Sequence, residues 1–171
     1  GLAFLSDEYA DFATGTDWTT RRRFKIPLNL EDKWITHTQM ADIDGNGLPD
    51  LIVTQAKGTL NLQVLMHVYL AHGIAQYPST PTASFEAKGA IARPMLKDFD
   101  GDGKLDILIV KVPFGLMSIT NYFLRQKVTM QVDAYRFNGT GFGAQPDRSE
   151  SITVDAPEGR EQIAYTMGDF N

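Results

Sequence analysis

Two short stretches crowd oxygen-bearing side chains at a fixed spacing. From Asp98 the chain reads DFDGDGKLD, which sets Asp98, Asp100, Asp102 and Asp106 at positions 1, 3, 5 and 9 of one loop, with Lys104 at position 7. From Asp42 it reads DIDGNGLPD, which sets Asp42, Asp44, Asn46 and Asp50 at the same positions, with Leu48 at position 7. Carboxylates this close repel unless a cation neutralises them. Side-chain oxygens at positions 1, 3, 5 and 9, with the backbone carbonyl of Leu48 or Lys104 at position 7, wrap one hard cation. Calcium takes about six to eight oxygens and tolerates irregular geometry, so a bidentate carboxylate and a water complete its shell. Gly45, Gly47, Gly101 and Gly103 lie between the ligands, where curling the chain round an ion calls for backbone angles that glycine reaches without steric cost. Pro49 biases Leu48 toward an extended conformation just as the next apolar run begins.

Other uses of such a loop fit less well. An EF-hand needs a bidentate Glu at its twelfth position and a helix after it; here that position is Val53 or Ile109, inside a β-like run. A dockerin-like reading fails on the same strand and on the wide spacing of the two loops. A plain acidic turn is the competing reading, and two full copies that each enter an apolar run weigh against it. Catalysis has little to draw on. The histidines are His37, His67 and His72, none in a loop; there is no cysteine, and no G-x-S-x-G elbow. The expectation is therefore a structural ion that holds each turn. The second loop offers four carboxylates and the first three, which predicts tighter binding at Asp98–Asp106. Extracellular calcium modules bind at roughly 10⁻⁴–10⁻³ M, so such sites fill outside the cytoplasm, and the expected location is extracellular, cell-surface or periplasmic.

The elements that carry these loops read as strands. LIVT after Asp50 and ILIV after Asp106 are continuous apolar runs, the pattern of central strands buried on both faces. In Leu60–Gly73, residues Leu60, Leu62, Val64, Met66, Val68 and Leu70 recur at period two. In Val128–Phe137, Val128, Met130, Val132 and Ala134 alternate with Thr129, Gln131, Asp133 and Tyr135; both patterns predict half-buried strands. Asn138-Gly139 marks a tight turn, so the NGT sequon there reads as turn chemistry. Each unit thus runs strand, acidic loop, strand, long strand, turn, strand, which is one four-stranded propeller blade. Asp42 and Asp98 open two such units, and MGDFN at Met167–Asn171 matches the opening of another, with a third calcium site begun at Asp169. The expected organisation is a preceding-blade tail or linker at 1–34, a first complete blade at 35–90, a second at 91–160 with an insertion at 112–127, and the first strand of a truncated blade at 161–171. The fold class is all-β: a β-propeller segment of four-stranded blades with calcium-binding inter-strand loops, an incomplete propeller expected to continue past both ends.

Composition bounds the rest. The chain has 171 residues, 43% hydrophobic and 22% charged, as folded domains do. A formal net charge of −5 argues against a nucleic-acid partner, and the basic run Arg21–Arg23 reads as a solvated strand end. No apolar run is long enough to span a bilayer. Without cysteine, neither disulfides nor zinc–thiolate sites are available. The apolar stretch Phe114–Leu124 within the insertion reads as local packing, or else as a partner surface.

ADIDGNGLPDLIV and KDFDGDGKLDILIV resemble FG-GAP/VCBS repeats, the blades of integrin-α-like calcium-binding propellers; YRFNGTGFGAQ and MGDFN resemble the later turn of such a blade and the start of the next. The resemblance spans roughly 35–171. It implies calcium ligands at Asp42, Asp44, Asn46, Leu48 and Asp50, and at Asp98, Asp100, Asp102, Lys104 and Asp106. It further implies a non-catalytic extracellular binding or scaffold module, serving adhesion, surface assembly, or recognition of a protein or carbohydrate. The alternative it leaves open is a propeller segment accessory to a catalytic or toxin domain elsewhere in a longer chain.

Overall fold

The computed structural model describes residues 1–6, 8–28, 34–58, 63–88, 90–91, 94–112 and 126–155. These form three antiparallel sheets, with no helix among them. The first sheet holds β1 (Leu2–Leu5), β2 (Tyr9–Thr14) and β3 (Thr20–Lys25); the second holds β4 (Ile35–Ala41), β5 (Asp50–Lys57), β6 (Gln63–Tyr69) and β7 (Ala83–Lys88), in chain order. The third comprises β8 (Ala90–Ile91), β9 (Met95–Lys97), β10 (Asp106–Val112), β11 (Lys127–Tyr135) and β12 (Arg148–Asp155). β8 pairs with Lys111–Val112 and β9 with Asp106–Leu108, on the same edge of β10. The two are therefore one interrupted edge strand, and Pro94, which has no N–H to give a ladder, lies just before β9. The third sheet thus has the same four strand positions as the second. The expected all-β, four-stranded-blade architecture is observed.

The middle sheet is covered on both faces, which explains its uninterrupted apolar strand. Leu51 and Val53 of β5 join Tyr69 in a core with Ala10 and Phe12 of the first sheet. Ile52, between them, faces the other way and packs with Met66, Val68 and Phe85 against Ile107, Ile109 and Tyr135 of the third sheet. The Phe85 and Tyr135 rings meet edge to face at 4.6 Å between centroids, a geometry worth about 0.5–1.5 kcal/mol beyond area burial. Tyr77 ties the first two sheets: its ring lies 4.6 Å from that of Phe24, and its hydroxyl donates to the Pro49 carbonyl at 2.7 Å.

β11 departs from the usual alternation. At its C-terminal end the side bearing Asp133 and Tyr135 faces the middle sheet and is the more buried, at 1% and 5% exposed, whereas Thr129 and Gln131 on the same side are exposed and Val128, Met130, Val132 and Ala134 are half-buried. The cause is a closed polar cluster. Asp133 accepts hydrogen bonds from the Lys111 ammonium, from Gln131 Nε2 at 3.0 Å and from Ser149 Oγ at 2.6 Å. Paired in this way, a carboxylate can be buried without leaving lone pairs unsatisfied. The Asn138 side-chain oxygen accepts from Thr140 N, Thr140 Oγ1 and Gly141 N, so NGT builds its own turn. Leu60, Leu62, the insertion core at 113–125 with its Phe114–Leu124 stretch, and the Asp169 motif lie outside the described residues.

Candidate metal centre

Both acidic loops join the first and second strands of a four-stranded sheet, β4 to β5 and β9 to β10. They fold alike because each carboxylate captures backbone N–H groups ahead of it. Asp42 Oδ2 accepts Gly47 N at 2.9 Å, and Asp98 Oδ2 accepts Gly103 N at 2.9 Å. Asp44 accepts Asn46 N and Asp100 accepts Asp102 N, both at 3.1 Å; Asn46 accepts Leu48 N at 2.7 Å and Asp102 accepts Lys104 N at 2.9 Å. These Asx turns coil the chain tightly, and Gly45, Gly47, Gly101 and Gly103 sit at φ between +76° and +83° to permit it. The loops lie against each other: Leu105 N donates to Ile43 O at 2.8 Å.

The ninth position anchors each loop. Asp50 is fully buried; its Oδ2 accepts Ile43 N and its Oδ1 accepts Ala71 N, both at 2.7 Å. Asp106 does the same with Phe99 N at 3.1 Å and Phe137 N at 2.9 Å. One carboxylate thereby staples the start of its loop to the chain leaving the third strand of its sheet. Burial pushes the Asp50 carboxyl up, against the two backbone donors that favour its ionised form. A nearby cation relieves that cost.

Carboxylate oxygens of Asp42, Asp44 and Asp50 lie within 4.8 Å of one another, and so do those of Asp98, Asp100 and Asp106. Three hard anionic oxygens converging at this distance, with further carbonyl and amide oxygens in the same loop, suit a calcium-like ion. Asn46 and the residues at position 7, Leu48 and Lys104, lie in the loops at the places the spacing predicts. Asp102 is not part of the second trio. Loop charge also differs in a way the sequence conceals. Arg136, just past β11, donates from Nε to Asp100 Oδ2 at 2.8 Å, and from a terminal nitrogen to the same oxygen. Its hydrogen bonds hold the Asp100 carboxyl below the usual range. None of the ion pairs among the described residues falls on Asp42, Asp44 or Asp50. No local sequence signal announces Arg136, because it lies 36 residues from Asp100 and meets it only once the sheet forms. The staple did have a signal: a carboxylate as the first residue of an otherwise apolar strand.

Paired antiparallel four-stranded sheets, each with a nine-residue oxygen-rich loop between its first two strands, are the repeating units of a propeller-type architecture with candidate metal loops. Residues 42–109 match the family model of the FG-GAP-like repeat. The chain thus carries an FG-GAP-like repeat over that segment, which takes in both acidic loops, all of β5 and the start of β10. FG-GAP repeats form propeller blades, as the second and third sheets do. The matched segment ends before the Asn138 turn and the Met167–Asn171 stretch. Comparison with curated proteins gives no match to the chain.

Proposed function

We propose that this chain is a calcium-stabilised, non-catalytic binding or scaffold module that works outside the cytoplasm. What carries the reading is the pair of carboxylate trios, each with three oxygens within 4.8 Å and each at the mouth of a blade. Asp42, Asp44, Asn46, the Leu48 carbonyl and Asp50 would hold one ion; Asp98, Asp100, the Lys104 carbonyl and Asp106 would hold the other, with Asp102 reaching it only if its side chain turns inward. The bound ion would supply positive charge where three carboxylates, one of them buried, converge. The chain's own contribution is to fix the loops against the strands through Asp50 and Asp106. Blades stiffened in this way present a rigid surface to an adhesion, assembly or carbohydrate partner at a calcium-rich cell exterior. Thermal unfolding with calcium at about tenfold excess over Kd against chelator tests the stabilisation: each filled site adds roughly 1.4 kcal/mol. An unfolding midpoint that ignores both additions contradicts the proposal.

A further inference from the structure

The two repeats correspond residue by residue where they close over their loops. Asp50 accepts from Ala71 N, and Asp106 from Phe137 N. The preceding residues, Leu70 and Arg136, donate their own N–H groups to Thr82 Oγ1 and Asp147 Oδ2, at 3.2 and 2.8 Å. Leu70 and Arg136 therefore hold the same place in the two blades, but their side chains go different ways. Leu70 packs against the core between the second and third sheets. Arg136 lays its guanidinium on Asp100, one of the three carboxylates that converge in the second loop.

We propose that Arg136 is a built-in competitor for the cation of the second loop, so that the Asp42–Asp44–Asp50 site fills with calcium before the Asp98–Asp100–Asp106 site. The proposal rests on the reading that both loops hold calcium. A divalent ion that enters the second trio must share Asp100 with the guanidinium or displace it. Sharing places two positive centres close together, and displacement forfeits a two-pronged ion pair. Among the described residues the first trio has no such rival. The extra carboxylate of the second loop does not offset this, because Asp102 stands outside the trio. The order is then the reverse of the one that counting carboxylates predicts. Only the Arg136 side chain is involved; the staple on Asp106 and the bond to Asp147 run through backbone N–H groups.

Calcium calorimetry on the full chain tests this, with D44N and D100N assigning each heat to its loop. Circular dichroism checks that every variant retains the sheets. The expected result is two sites, the weaker one lost in D100N. R136Q should tighten that weaker site about fivefold, the scale of an exposed ion pair removed, and leave the stronger site unchanged. R136K keeps the charge without the planar fork and should fall between. A second-loop affinity that is unchanged or weakened in R136Q overturns the proposal, as does loss of the weaker site in D44N. Absence of calcium binding in every variant overturns the underlying reading, and the proposal with it.

Discussion

Asp50 and Asp106 each serve two ends, and mutation separates them. As acceptors for two backbone N–H groups they belong to the fold; as members of a trio they belong to the candidate ion site. D50A leaves Ile43 N and Ala71 N without their partner, so it should cost about 3 kcal/mol even in chelator. D44A removes a ligand whose hydrogen bonds stay within the loop, to Asn46. It should cost under about 1 kcal/mol in chelator yet abolish the calcium-dependent gain from the first loop. Urea unfolding with and without chelator distinguishes the two outcomes. Asp133 gives the pH dependence. Burial raises its carboxyl, but hydrogen bonds from Lys111, Ser149 and Gln131 outweigh burial and hold it below the ordinary value of 3.8. A depressed carboxyl contributes stability that is complete above its unfolded value and lost as pH falls through the folded one. Acidification below about pH 4 should therefore erode wild-type stability more than that of D133N. At neutral pH D133N should already be weaker by about 2 kcal/mol, because Lys111 loses its partner. Urea midpoints between pH 7 and 3 check both statements. At this scale the acidic loops were legible because the spacing of their carboxylates is local in sequence. Arg136 and the Asp133 cluster were not, since each depends on a register set by strands far apart in the chain.

The loops and strands show where pattern reading works. β5 and β10 announce themselves as central strands, for both of their faces are covered or nearly so: Leu51, Ile52 and Val53 are fully buried, as is Ile107. β11 is the half-buried strand its alternation predicts, but its fully buried positions are Asp133 and Tyr135 at the C-terminal end, while Val128, Met130, Val132 and Ala134 are half-buried. β3, with Arg21–Arg23, hides for a different reason. It is an edge strand of the first sheet, where Arg23 pairs with Asp11 across the ladder at 2.6 Å, so its charge run lies within a strand, Arg22 on one face and Arg21 and Arg23 on the other, rather than at a strand end. The loops themselves make a clean prediction. A Cβ on Gly47 or Gly101 meets nothing within 4 Å, yet both sit at φ +80°. G47A and G101A should therefore cost about 1 kcal/mol each from backbone strain alone. Denaturant midpoints in chelator measure this without interference from bound calcium.

Across the whole molecule, three sheets stack so that the middle one is sealed and each outer one keeps a face turned away. Phe4, 56% exposed, and Ile152, 46% exposed, lie on those outer sheets. Phe85 sits at the seam between the second and third sheets, against Tyr135 and Phe142. F85A should cost about 3–4 kcal/mol and lower the stability of both sheets together, which hydrogen exchange resolved by segment reports. The two acidic loops touch across the same seam through Leu105 and Ile43, so a cation held in one loop would also steady the junction between the two sheets. The most direct measurement is calcium titration of the chain by calorimetry, with magnesium as the control. Two calcium sites per chain with weak magnesium competition are the predicted result. A chain that binds no calcium, or binds magnesium equally well, would contradict the account.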